Sequence, residues 1–179
     1  MKIEEKIASM GIELPDISEN YKSNTSGAKY VSHYSVGRIL YLSGCTPMRD
    51  GKPYMTGILG DDLSVEQGYE AARQCMVCYL GAIKYALGDL DRLVRMLHLV
   101  GYVNSGESFT EQPRVINGAV DILVEIFGRS AMPTRAAIGC RGLASNHSVE
   151  LIATIEFNGE KISDPIARDG QPLDQSNHT

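Results

Sequence analysis

Two side chains of opposite charge, fifteen positions apart near the C-terminal end, are the residues whose chemistry stands out. Arg135 lies in Pro133-Thr134-Arg135-Ala136-Ala137-Ile138-Gly139, and Glu150 opens Val149-Glu150-Leu151-Ile152-Ala153-Thr154-Ile155-Glu156-Phe157. A guanidinium is a planar fork that stays charged at any working pH and donates two parallel hydrogen bonds to a carboxylate, which lysine cannot do. A glutamate within reach of such an anchor can orient or deprotonate a water, or hand on a proton. Ala137 and Gly139 leave room beside the guanidinium for a ligand, which is the outline of a carboxylate site. The plain alternative is an ion pair at a strand edge. The spacing leaves open whether Arg135 and Glu150 meet within a chain, meet across an interface or miss one another.

Other reactive side chains carry weaker signals. Cys75-x-x-Cys78 falls in the middle of a helical stretch, whereas a redox pair belongs where a loop opens a helix, so these read as core cysteines. The four histidines, His33, His98, His147 and His178, are scattered and make no zinc pattern with the four cysteines, so no metal is expected. His98, inside an apolar run, reads as a satisfied core or interface histidine.

The elements that must position Arg135 and Glu150 follow from periodicity. Residues 149 to 157 alternate with period two, Val149, Leu151, Ala153, Ile155 and Phe157 on the apolar side; residues 134 to 141 alternate likewise, with Thr134, Ala136, Ile138 and Cys140 as the greasy face and Arg135 on the other. A hairpin is predicted from Tyr30–Val36 and Ile39–Ser43 around Gly37-Arg38, and a turn at Arg49-Asp50-Gly51-Lys52. One helix runs from Ser64 to Leu87, with Ser64 and Gln67 as a capping box and Gly88 as a stop; Val65, Tyr69, Ala72, Met76, Tyr79, Ile83 and Leu87 form its core stripe. A second runs from Thr110 to Phe127, with Pro113 in its first turn, a buried stripe of Ile116, Val120, Leu123, Val124 and Phe127, and Asn117 beside it. Leu93 to Asn104 hardly alternates, as in a strand buried on both faces. Two helices cover one sheet face, so the other is expected to meet sister subunits. Residues 3 to 10 form a short amphipathic helix, followed by a polar connection from Pro15 to Lys29.

The 179 residues, 43% hydrophobic and 22% charged with a net charge of -5, suit one soluble domain with extensions. An acidic chain without a Lys/Arg cluster is a poor match for tracking phosphates, so nucleic acid is disfavoured. No stretch resembles a signal peptide or a membrane span, so a cytosolic protein without membrane contact is expected.

In order along the chain, Tyr30-Val31, Gly37, Leu40-Tyr41-Leu42-Ser43-Gly44, Val115-Ile116-Asn117-Gly118, Phe127, Pro133-x-Arg135-Ala-Ala-Ile138 and Val149-Glu150-Leu-Ile-Ala153 resemble the Rid family, the YjgF-like reactive-intermediate deaminases. The resemblance implies an α+β fold like bacterial chorismate mutase: a mixed sheet with two helices on one face, assembled as a homotrimer with the other face inside. It implies a core of residues 30–157, flanked by an N-terminal helix and linker, 1–29, and a polar tail, 158–179, flexible by composition. It further implies hydrolysis of enamines and imines without a cofactor: Arg135 holds the substrate carboxylate, Glu150 handles the water, Ser43, Gly44 and Ala137 complete the cradle, and Tyr30 stands at the pocket mouth. Cys45 departs from the polar residue usual in that family. Two other functions are kept: an endoribonuclease or translation inhibitor, and a non-catalytic binder of small carboxylates.

Overall fold

The computed structural model describes residues 2–18, 28–160, 162–169 and 173. Most of the predicted connection and the far end of the tail lie outside the described residues. A short helix, α1 (Lys2–Ser9), precedes the hairpin of β1 (His33–Val36) and β2 (Ile39–Leu42), which turns at Gly37. A two-residue ribbon follows, β3 (Met48–Arg49) with β4 (Lys52–Pro53). Then come α2 (Val65–Leu87), β5 (Leu93–Asn104), α3 (Gln112–Phe127), β6 (Thr134–Cys140) and β7 (Val149–Phe157). The main sheet runs β1-β2-β7-β5-β6; only β5 and β6 pair in parallel, so the sheet is mixed and the fold α+β as expected.

The core lies between the sheet and α2 with α3. Helix α2 starts on the predicted cap: Ser64 Oγ accepts from Gln67 N at 3.2 Å, and Gln67 Oε1 accepts from Ser64 N at 2.9 Å. Its burial exceeds the predicted stripe, because Gly68, Ala71, Cys75, Val77, Cys78, Leu80, Gly81 and Ala82 are buried as well. Neighbours on several sides explain this: α3 crosses it closely, β7 lies beneath it, and residues 15 and 17 run past Gly81. Tyr69, by contrast, is only half-buried and donates to Asp121 Oδ2 at 2.9 Å. The close crossing depends on Gly118 of α3, where a Cβ would collide with the Tyr69 carbonyl. From α1, Ile7 is buried in the same core. None of the described helices is long and apolar enough to cross a membrane.

Cross-strand register separates the two sheet faces. Val149, Leu151, Ala153 and Ile155 of β7 face the helices with Leu99 and Val103 of β5, all buried. The opposite face carries Tyr34, Tyr41, Ile138 and Ile152, between 38% and 55% exposed, which is a large apolar area for one chain. His98 sits on this open face, not in the core, and bonds Thr134 Oγ1 through Nδ1 at 2.9 Å. Strand β5 alternates more than its composition predicts, because Val94, Arg95 and His98 are exposed.

The described part of the tail is docked. Residues 162–169 lie along the outer edge of the hairpin: Ser32 N donates to the Ile166 carbonyl at 3.0 Å, and Arg168 N to the Tyr30 carbonyl at 2.9 Å. His33 Nε2 meets the Ser163 carbonyl at 3.0 Å. Polar composition suggested flexibility, but these side chains and amides satisfy an edge that would otherwise be unpaired.

Candidate functional site

Glu150 comes second in β7, opposite Tyr102 of β5 and on the open face. Its carboxyl is half-buried, has no hydrogen-bond partner among the described residues, and is held above the usual carboxylate range by that burial. It lies on Gly44, where a Cβ would fall on Glu150 Oε1. Glycine at position 44 therefore makes the seat for this carboxylate. The neighbouring strand end is held firmly. Cys45 exchanges both backbone hydrogen bonds with Leu151, at 2.9 and 2.8 Å, and Ser43 Oγ donates to the Val31 carbonyl. Tyr79 of α2 donates to the Ser43 carbonyl at 3.1 Å and accepts from Ala153 N at 2.8 Å, so one buried hydroxyl joins the end of β2 to β7. Tyr30 is next along the same edge; its hydroxyl accepts from Arg168 Nε at 3.1 Å. Tyr30, Ser43, Gly44 and Glu150 thus belong to one part of the chain.

Arg135 and Ala137 belong to another. In β6, Arg135 pairs with Leu99, Ala137 with Gly101 and Gly139 with Val103, all on the helix side of the sheet. This corrects the expected faces of β6: Thr134, Ala136, Ile138 and Cys140 share the open face, whereas Ala137 packs against the core. Directly beneath α3 the helix side of β6 carries the small Ala137 and Gly139, with Arg135 reaching out past the helix, and the larger Ile138 lies on the open side at 42% exposure. Within one chain, then, Arg135 and Glu150 stand on opposite faces and form no ion pair. The exposed Arg135 donates from Nη1 to Asn117 Oδ1 of α3 at 2.8 Å, which fixes the guanidinium while leaving other donors for a ligand.

Two neighbours of the candidate residues had weak signals in the sequence. Asn117, legible as a surface amide beside the α3 stripe, is the partner of Arg135. Cys140 shares the open face with Glu150, and its thiol is pushed up by burial and by the Glu150 charge. A cleft of about 570 Å³ lies elsewhere: residues 11–16, Arg49, Arg73 and Gln74 are among those that line it, and no candidate residue is. Among the described residues, the acidic group with metal-binding proximity is Glu4, Asp89 and Asp91, and amides of Lys2, Ile3 and Leu90 already donate to it.

Residues 4–153 match a family model described as "YjgF/chorismate mutase-like, putative endoribonuclease". Protein TCP17 of Trypanosoma cruzi is 39% identical over 150 residues, 83% of this chain and 90% of that protein. Among solved structures, protein Atu1372 of Agrobacterium tumefaciens, described as of unknown function, is 37% identical with a TM-score of 0.77, over 87% of this chain and 92% of that one. A protein of Shewanella oneidensis described as a "putative endoribonuclease" is 29% identical with a TM-score of 0.78, over 87% of this chain and 99% of that one.

Proposed function

This chain belongs to the YjgF/chorismate mutase-like family, and from that premise we propose that it hydrolyses reactive enamine and imine intermediates of small 2-amino acids, releasing the 2-keto acid and ammonia. The observation that carries the proposal is the state of Glu150: a half-buried carboxyl without a hydrogen-bond partner among the described residues, seated on Gly44, with its proton affinity raised. A general acid/base works best with a pKa brought toward neutrality, and burial moves Glu150 in that direction.

The site has two halves, Arg135 with Asn117 and Ala137 on one surface, and Tyr30, Ser43, Gly44 and Glu150 on another. Pairing the arginine half of one copy with the glutamate half of a second, in a homotrimer, brings a carboxylate anchor opposite an acid/base. Arg135 holds the substrate carboxylate with two parallel hydrogen bonds. The C=N carbon then lies at a fixed distance from the anchor, and Glu150 takes a proton from the water that adds to it. The same carboxyl returns that proton to the nitrogen, then passes the hydroxyl proton of the adduct to the nitrogen as the carbonyl forms, the C–N bond breaks and ammonia leaves. An enamine first takes a proton on carbon to become the imine. Because such imines already hydrolyse in water, positioning and one proton relay supply the few kcal/mol required.

The test is ammonia release from freshly generated 2-aminoacrylate and 2-iminobutyrate, with wild type beside Arg135→Ala. Acceleration by wild type that the variant loses, at unchanged oligomer mass, is the expected result. No acceleration by wild type would reject the activity, and full activity in Arg135→Ala would reject the anchor. Cleavage of RNA, the activity in the name of the Shewanella relative, is less suited to a chain of net charge -5, and an RNA substrate added to the same assay distinguishes it.

A further inference from the structure

Three of the four cysteines gather behind the end of β2. Cys45 follows Gly44 and is partly exposed, whereas Cys75 and Cys78 are buried on α2. Cys45 and Cys75 meet in a reciprocal pair of contacts: Cys75 Sγ donates to the Cys45 carbonyl at 3.0 Å, and Cys45 Sγ lies 3.8 Å from the Cys75 carbonyl. Cys78 Sγ instead donates to the Met48 carbonyl at 3.3 Å. The geometry points to a redox-modification site in which peroxide converts Cys45 and Cys75 to a disulfide that regulates the Gly44–Glu150 seat. Its consequence for turnover rests on the function proposed above; the bond itself does not.

The order of events follows from access. Burial keeps Cys75 and Cys78 protonated, Cys78 with its pKa pushed up to about 12, so peroxide meets Cys45 first. The O–O bond breaks, one oxygen adds to the Cys45 sulfur as sulfenic acid, and the other leaves as water. The Cys75 thiol then attacks that sulfur, the S–O bond breaks, and a second water departs with the Cys75 proton. In sum, two thiols are oxidised and one peroxide is reduced to two waters. Bond formation ends the hydrogen bond from Cys75 to the Cys45 carbonyl. That carbonyl is also the acceptor for Leu151 N, next to Glu150, so the link pulls on both strands of the seat. Reversible thiol oxidation of this kind fits a reducing compartment better than a permanent bridge does.

The full-length protein is treated with hydrogen peroxide, blocked with a thiol alkylating agent and digested with trypsin. Cleavage after Arg38, Arg49, Arg73 and Lys84 leaves Cys45 on one peptide and both helix cysteines on another. The expected product is these two peptides joined, lighter by two hydrogens than their sum once the one alkyl group on Cys78 is counted, in wild type and, without that group, in Cys78→Ser, but not in Cys75→Ser. Cys45 oxidised to sulfinic or sulfonic acid with no joined peptide would overturn the proposal, as would a joined peptide that survives Cys75→Ser. Ammonia release measured on the same samples is expected to fall with the joined fraction and return with dithiothreitol. A joined enzyme with undiminished activity would overturn the regulatory part. A joined peptide in a protein that never releases ammonia would instead count against the deaminase proposal and leave the redox site standing.

Discussion

Glu150 combines an ionisable carboxyl with partial burial, and a pH dependence of the proposed activity follows from that. In the proposed reaction Glu150, as the ionised base, must lose its proton before water adds, and burial raises the pH at which it does so. With the folded pKa above the ordinary carboxylate value, activity is expected to fall as pH drops through that raised value, giving an acidic limb in kcat above the usual glutamate range. Glu150→Gln keeps shape but loses the proton relay; kcat is expected to drop by about 100-fold or more with KM little changed, and the acidic limb to vanish. A pH–rate profile of both proteins checks this, and an unchanged limb in the variant would assign it to another group. The sequence marks Arg135 and Glu150 as chemistry-bearing, because a charge stands out against strand periodicity. It does not reveal that Gly44 seats the carboxylate or that Asn117 holds the guanidinium, because both contacts cross long stretches of chain.

At the scale of elements, strands with one strongly apolar side and a well-capped helix are legible, and an edge strand is not. Strand β7 alternates as its residues predict, since it lies between β2 and β5 with α2 beneath it. Strand β6, at the edge, turns Ala137, Gly139 and the charged Arg135 to the helix side and Ile138 to the open side, so hydrophobicity pointed to the wrong face. The α2/α3 crossing turns on volume: Gly118→Ala places a methyl against the Tyr69 carbonyl, and a loss of about 1–3 kcal/mol in unfolding free energy is expected. Denaturant titration measures it, and a neutral result would mean that the helices can part at little cost. The docked tail makes a second prediction at this scale. His33 is buried between Ser32, the Ser163 carbonyl and the Tyr85 ring, with Asp164 the charge near it. Burial lowers its pKa and outweighs the raising effects of the Ser163 carbonyl and Asp164. The unfolded chain, with an ordinary value of about 6.5, therefore binds more protons than the folded one between the two pKa values. Stability from this site is complete above the unfolded value and is lost as pH falls through it toward the folded value. Protection factors against hydrogen exchange at the Ile166 and Ser163 amides, corrected for the slower intrinsic exchange in acid, are expected to fall on acidification below pH 6, and His33→Gln is expected to flatten that response.

For the whole molecule, the open sheet face and the proposed division of the site have one common explanation. Tyr34, Tyr41, Ile138 and Ile152 expose apolar surface on the face that carries Glu150, and at about 25 cal/mol per Å² its burial is strongly favoured. Association that covers this face can also bring the Arg135 edge of one copy to the Glu150 seat of another, so assembly and activity should fail together. Ile152→Glu puts a charge in the middle of the face without touching Arg135, Asn117, Gly44 or the Glu150 backbone pairing. Its expected outcome is a smaller species by light scattering together with loss of ammonia release. Subunit mixing tests the division itself. Arg135→Ala and Glu150→Gln are each expected to be inactive as pure oligomers. Co-assembled from equal amounts, about a quarter of their interfaces by random assortment carry both an intact arginine half and an intact glutamate half. Recovery near that fraction of wild-type activity is the expected result, because only a site shared between copies can be rebuilt from two defective chains. If Arg135 and Glu150 served one site within a single chain, every chain in the mixture would still lack one of them. Activity would then stay at the level of the pure variants at every mixing ratio.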